Sequence, residues 1–259
     1  PTPQSVTINW VVNALCSLGY EAFQGDIKSA FAQSKPTDCE LYVSQPPEGI
    51  PGLKPGQLLQ LKTEIYGAVR GPAWWRQTLT AELEKLGYEQ SSFDSCVFVL
   101  RDGAIRAERD SCLRKHLNKN PFSDALPMAV KRDQSQTEVR FVKTKGVVLI
   151  EVDDLLEGGD ADHRQKMSML QQTFKFGKHN SLKCSEGGTL DGMRIRQNRD
   201  GSFFMTMKDF ILQRLRGFEL DKARRKDRTA TITQAEHDQT RRVAGGLLRV
   251  ARKCRPDAA

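Results

Sequence analysis

The stretch "GVVLIEVDDLLEGGD", residues 146 to 160, restricts the possible folds more than any other part of the chain. Aliphatic residues Val147 to Ile150 lead into the pair Asp153–Asp154, and Leu155 and Leu156 follow. Strand-like residues on both sides of two short polar side chains read as a β-hairpin with a carboxylate at each of two consecutive tip positions. An Asp-Asp pair is also an ordinary turn signal. Two negative charges this close repel, and without a cation one of them tends to stay protonated. A divalent metal resolves the repulsion, which directs attention to a third carboxylate.

Asp26 in "QGDIKSAF" is the best candidate, because it ends a predicted strand and can project beside the hairpin on a shared sheet. Three Asp side chains without His or Cys make a hard-oxygen site, suited to Mg²⁺ or Mn²⁺ rather than zinc. Two such ions roughly 3.5–4 Å apart serve phosphoryl transfer to a hydroxyl. Asp is common at strand ends, so the pattern alone leaves the ordinary turn open beside the metal site.

The surrounding chain reads as α+β. "SVTINWVVNALCSL" has helical spacing with Ser5 or Thr7 able to cap, and "PAWWRQTLTAELEKL" sets Trp75, Leu79, Leu83 and Leu86 on one face with Pro72 in the first turn. Strands are expected in "YEAFQGD", "ELYVSQPPEG", "GQLLQLKTEIYG" and "CVFVLRDG". Three short strands in a meander are expected from "EVRFVKTKGVVLIEVDDLLEGG", with Gly146 in the first turn. A helix over about 161–174, a hairpin turning at Asp200-Gly201 and two closing helices complete the pattern. The last helix opens on a capping box, Thr233 with Glu236, and carries Val243, Leu247 and Val250 on one side and Arg241, Arg242, Arg249 and Arg252 largely elsewhere. Residues 104–138 are polar, without period, and read as a solvent-exposed insertion or disordered loop. Hairpins in place of regular βαβ alternation argue against a doubly wound sheet.

A net charge of +8 and a pI near 9.2 over 259 residues favour an anionic partner, nucleic acid first, although an ordinary basic enzyme has the same balance. Six scattered cysteines without a C-x-x-C pair read as reduced thiols of an intracellular protein. Neither a signal peptide nor an apolar run near the roughly 20 residues of a membrane span is present. The opening residue, Pro1, reads as a chain cut from something longer.

"GDIKSAF", "ELYVSQPPEG", "LKTEIYGAVRGPAWW", "LGYEQSSFDSCVFV", "VVLIEVDDLL", "FKFGK", "LDGMRI" and the closing "RRVAGGLLRVARKCRPDAA" stand in an order and spacing that resemble the reverse transcriptase (RNA-directed DNA polymerase) of copia-type LTR retrotransposons. The resemblance covers nearly the whole chain apart from 104–138. It implies an α+β palm, an antiparallel sheet with packed helices, over 1–206, and a helical thumb-like region over 207–259. It also implies nucleotidyl transfer from dNTPs to a primer 3′-hydroxyl, with Asp26, Asp153 and Asp154 holding two Mg²⁺ or Mn²⁺ ions. By the same resemblance Phe31 is the steric gate against a ribose 2′-hydroxyl, although alone it reads as a core aromatic. Ile27, Tyr66 and Gly67 belong to the nucleotide pocket, with Gly67 permitting close backbone approach. Gly192 and Met193 belong to the primer grip, and Arg241, Arg242 and Arg249 track template-primer phosphates.

Departures from the family pattern are specific. Glu151 stands where the family usually has Tyr, Ala73 where it has Arg, and Asp191 where it has Leu. A fingers segment is expected before Pro1, and an RNase H domain after the last residue, with integrase elsewhere in the same retrotransposon polyprotein. Two other readings remain beside the polymerase: a catalytically inactive remnant that only binds nucleic acid, and a nuclease using the same carboxylates.

Overall fold

In the computed structural model, which describes residues 2–102, 144–215, 226 and 231–254, the run Val147 to Ile150 lies near the middle of an antiparallel sheet covered on both faces. The elements are α1 (Ser5–Ser17), β1 (Ala22–Ile27), a 3₁₀ turn (Ala30–Gln33), β2 (Leu41–Val43), β3 (Leu59–Leu61) and α2 (Gly71–Lys85). Next come β4 (Tyr88–Gln90), β5 (Val97–Arg101), β6 (Thr144–Glu151), β7 (Asp154–Gly159), α3 (Ala161–Thr173) and β8 (Phe176–Ser181). Then follow β9 (Gly188–Leu190), β10 (Met193–Gln197), β11 (Phe203–Thr206), α4 (Lys208–Arg214) and α5 (Gln234–Cys254). The expected insertion at 104–138 lies outside the described residues. None of the described helices is long and apolar enough to cross a membrane.

Six strands form the main sheet in the order β4-β5-β6-β7-β1-β8, every neighbour antiparallel. Side chains alternate between its faces. Val147 and Leu149 join Ile8, Val11 and Leu15 of α1 in one core, which also takes Leu190, Met193 and Ile195 of the small sheet β9-β10-β11. Val148, Ile150 and Leu155 join Trp75, Leu79 and Leu83 of α2 and Leu170 of α3 in a second core. A strand covered on both faces has no solvent side, so its sequence reads as an unbroken aliphatic run. Phe210, Val250 and Cys254 pack against the first core, which brings α4 and α5 to the same side of the sheet as β9-β10-β11.

Three expectations change in detail. Gln4, not Ser5 or Thr7, occupies the N-cap of α1, and the Thr7 hydroxyl donates instead to Asp94 Oδ2 at 2.6 Å. The strand expected across "GQLLQLKTEIYG" is only β3, three residues paired with β2. Gly146 is not in a turn: β6 runs straight through it, and Gly146 pairs with Gly159 of β7. The expected first meander strand falls largely outside the described residues. The capping box at Thr233 forms as read, with Thr233 N–H donating to Glu236 Oε2 at 2.8 Å. None of the five cysteines among the described residues is in a disulfide.

The Gly146–Gly159 pair is explained by a buried histidine. Asp160 caps α3, accepting from the N–H groups of Asp162 and His163, and this sets His163 over the two glycines. A Cβ on Gly146 would lie 2.1 Å from His163 Nδ1, and one on Gly159 would lie 2.5 Å from its Cβ. The imidazole joins a buried chain. Tyr88, whose hydroxyl is held protonated by burial and by Glu157 and the aspartates beyond it, donates to His163 Nδ1 at 2.8 Å. His163 Nε2 donates to Glu157 at 2.6 Å, and His179 Nε2 donates to its other oxygen at 2.9 Å. Burial pushes the Glu157 carboxyl up, and the bonds from His163 and His179 outweigh it, so the carboxyl ends below its ordinary value. Gly146→Ala should therefore destabilise the chain by about 3 kcal/mol, the upper range for overpacking. Its cost should be smaller in a His163→Ala background, as urea denaturation of the double-mutant cycle would show.

Candidate catalytic carboxylate site

The β6–β7 hairpin turns in two residues. Glu151 pairs with Asp154, leaving Val152 and Asp153 as the turn. Val152 has φ 58°, a left-handed conformation that a β-branched residue adopts only under strain of order 1–3 kcal/mol. Tertiary contacts hold it there. Trp75 Nε1 of α2 donates to Val152 O at 2.8 Å, and Ile27 N–H donates to Asp153 O at 2.9 Å. Asp153 therefore occupies the tip, whereas Asp154 is already the first residue of the return strand.

Register brings the acids together. Asp26 of β1 pairs with Asp154 of β7, which pairs with Glu151 of β6. Directly opposed residues of antiparallel strands share a face, with Cα atoms roughly 4.5–5.5 Å apart, so Glu151, Asp154 and Asp26 form a row across three strands. The row faces the side occupied by β9-β10-β11 and α5, and Asp153 sits at its end. Burial first, then Asp153 and Asp26, push the Asp154 carboxyl up to about 6. Burial and Asp154 raise Glu151 as well, opposed by Lys253 and Arg249.

The other expected residues fall into distinct positions. Phe31 is buried in the second core, its ring 4.3 Å from that of Tyr66 at 46°. Exposed Tyr66 lies over it and donates its hydroxyl to Asp153 Oδ2 at 3.2 Å. Gly67 has φ 92° and nothing within 4 Å of an added Cβ, so backbone conformation, not close approach, calls for glycine there. Ile27 is a core side chain that reaches the site only through its N–H. Met193 is fully buried beneath the β9–β10 turn, while Gly192 lines the cleft. Arg241 and Arg242 are exposed on the first half of α5 and do not line it.

Arg249 does. A cleft of about 360 Å³ is bounded by the hairpin residues 151–154, by Thr189, Asp191 and Gly192 of the β9–β10 segment, and by Arg249. Asp191 and Lys253 are the residues that sequence reasoning missed as partners. Arg249 Nη2 donates to Asp191 Oδ1 at 2.9 Å, and Lys253 pairs with the other carboxylate oxygen. The spacing of Arg249 and Lys253, four residues apart on one helix, was the signal that could have placed both on one face. Ala73, the other departure, is exposed on the outer side of α2.

By donor type, Asp26, Asp153 and Asp154 fit an oxygen-preferring divalent cation, and the burial and neighbouring charges that raise the Asp154 carboxyl are a penalty such a cation would relieve. Among the described residues, no three His, Cys, Asp or Glu side chains already converge as a ligand set. A bound ion would have to draw these carboxylates together.

Residues 8–107 match the family model of the reverse transcriptase (RNA-dependent DNA polymerase). Over this stretch the chain is similar to the reverse transcriptase family. The matched region contains β1 with Asp26, the Phe31 turn, Tyr66 and α2, and ends before the β6–β7 hairpin. The chain is also similar to the retrovirus-related Pol polyproteins from transposons RE2 and RE1 of Arabidopsis thaliana, with 32% and 31% identity over 103 residues. Those 103 residues are 40% of this chain and 7% of each polyprotein. The copia-type reverse transcriptase expected from the motifs is thus borne out over the matched part.

The raised Asp154 carboxyl has a consequence for stability. An acid whose folded value lies above its unfolded one costs nothing below about pH 4, costs more as the pH rises toward the folded value, and costs most above it. Asp154→Asn should therefore raise the melting temperature by a few degrees at pH 8 and by little at pH 4. Adding Mg²⁺ should narrow the difference at pH 8 by stabilising the parent, which thermal melts in the presence and absence of the ion would measure.

Proposed function

We propose that this chain is the RNA-directed DNA polymerase portion of a copia-type retrotransposon polyprotein, a palm over 1–206 followed by a thumb-like region over 207–259. The observation that carries the reading is the register that sets Asp26 beside Asp154, with Asp153 at the adjoining turn. Asp26 lies inside the matched region, and the hairpin brings its two carboxylates to the same place from outside it.

Asp26, Asp153 and Asp154 would hold two Mg²⁺ or Mn²⁺ ions. When bound, such ions lower the pKa of an attacking hydroxyl and offset charge on a transferring phosphoryl group. The chain's own groups orient the reactants. Tyr66 holds the Asp153 carboxylate by its hydroxyl and covers Phe31, so the gate ring and the tip carboxylate are linked by one side chain. Trp75 and Ile27 keep the turn in its strained form, which prevents Asp153 from swinging away. Gly192 and Arg249 border the same cleft and offer a path for a primer strand next to the carboxylates. The partners implied are an RNA or DNA template-primer, dNTPs and the remainder of the polyprotein.

A second reading is favoured by one observation: Arg249 and Lys253 are already paired at the cleft with Asp191, beside the extra acid Glu151. In that reading the chain binds nucleic acid through its basic surface and adds no nucleotides. Extension of a labelled DNA primer on an RNA template, with Mg²⁺ and dNTPs at low salt, separates the two. The polymerase reading expects extension that falls at least a hundredfold in Asp153→Asn while template-primer binding is kept. Equal extension by parent and variant would remove the carboxylates from the mechanism, and salt-sensitive binding with no extension by either would leave the binding reading.

A further inference from the structure

The two acids that depart most from the family pattern, Glu151 and Asp191, face the same pair of cations. Asp191 lies in the β9–β10 turn with φ 48°, its side chain largely buried. It accepts Arg249 Nη2 on Oδ1 at 2.9 Å and on its backbone carbonyl at 3.2 Å. Lys253 pairs with Oδ2 and donates to the same carbonyl at 3.3 Å. Glu151, across the cleft, feels both cations. Two acids on the palm thus meet two bases one helical turn apart on α5, and the group is charge-balanced.

This arrangement leaves Arg249 poised. Its guanidinium carbon lies 5.2 Å from the centre of the Phe210 ring, so it is clamped between that ring and Asp191. Phe210 is itself anchored by packing against the first core. Among the described residues, Nη2 makes all the hydrogen bonds of Arg249, leaving Nε and Nη1 without partners. The side chain is 44% exposed and borders the cleft that holds Asp153 and Asp154. A guanidinium held on one edge and open on the other presents a fixed donor pair to a phosphodiester.

We propose that Asp191 is a positioning residue, which with Lys253 latches α5 to the palm and aims Arg249 at a nucleic-acid phosphate at the mouth of the carboxylate cleft. The proposal rests on the reading that template-primer enters this cleft. It inverts an ordinary expectation. Removing an acid beside bound nucleic acid normally relieves repulsion and tightens binding. Here Asp191→Asn releases Arg249 and weakens it. Asparagine tolerates the left-handed backbone, so the turn itself is kept.

The test is fluorescence anisotropy of a labelled DNA primer on an RNA template, titrated across salt without dNTPs. Arg249→Ala should weaken binding and reduce the slope of log affinity against log salt by about one. Asp191→Asn should weaken binding by roughly tenfold at low salt, the worth of a charge-assisted contact, and reduce the slope similarly. Asp191→Glu, which keeps the charge, should stay nearer the parent. Hydrogen exchange at residues 249–254 should quicken in Asp191→Asn while α1 remains protected. Should exchange quicken throughout, Phe210→Leu tests the clamp from its other side without altering charge, and the slope must again fall. Binding by Asp191→Asn as tight as the parent, or an unchanged slope in Phe210→Leu, overturns the latch. A parent chain without salt-sensitive binding instead overturns the nucleic-acid reading, and the latch with it.

Discussion

Because β6 and β7 pair with Glu151 opposite Asp154, only Val152 and Asp153 remain to make the turn, and the carboxylates have no freedom along the sheet. A slip of one residue in either strand would exchange its faces, turning its acid, Glu151 or Asp154, toward α2 and taking Val148 and Ile150, or Leu155, out of the second core. The two cores therefore fix the register, and the register fixes the row of acids. Val152 bears the resulting strain, and the bonds from Trp75 and Ile27 keep it in place.

Electrostatic cost falls on both faces of this sheet and is met differently on each. On the α3 side, Glu157 is buried but fully bonded to His163 and His179, and burial is outweighed. On the opposite side, Asp154 makes no such bond among the described residues and is raised instead. A bonded structural acid and a proposed metal ligand thus lie on the same strand, three residues apart, distinguished by their hydrogen bonds. Glu151 falls between these cases: burial and Asp154 push it one way, while Lys253 and Arg249 pull it the other.

Much of the fold was legible where a single element shows its own period. The helices 5–17, 71–85 and 161–173, the strand that carries Asp26 near its end and the Thr233 capping box all follow from local patterns. Edge strands were not legible. β4 and β8 each have a single neighbour in the sheet, and β8 carries Lys178, His179 and Asn180 in place of apolar alternation. Gly146 misled for a related reason: a glycine in a polar context reads as a turn, while its actual cause is an imidazole from α3 that the chain supplies seventeen residues later. Glu64, fully buried with neither carboxylate oxygen partnered among the described residues, also leaves no mark in its local sequence.

The sequence by itself determined which residues could do chemistry: two adjacent aspartates after an aliphatic run, a third at a strand end, and a basic helix at the C-terminal side. Those are matters of residue type and short-range spacing, and they survive without knowledge of the fold. Tertiary structure decided the rest. Whether Asp26 stands next to Asp154 depends on the pairing of β1 with β7, strands more than a hundred residues apart. That Arg249 borders the cleft and bonds to Asp191 follows from the docking of α5, which brings together residues 58 positions apart. Long-range pairing and charge compensation arise between segments, so no local window of the chain contains them.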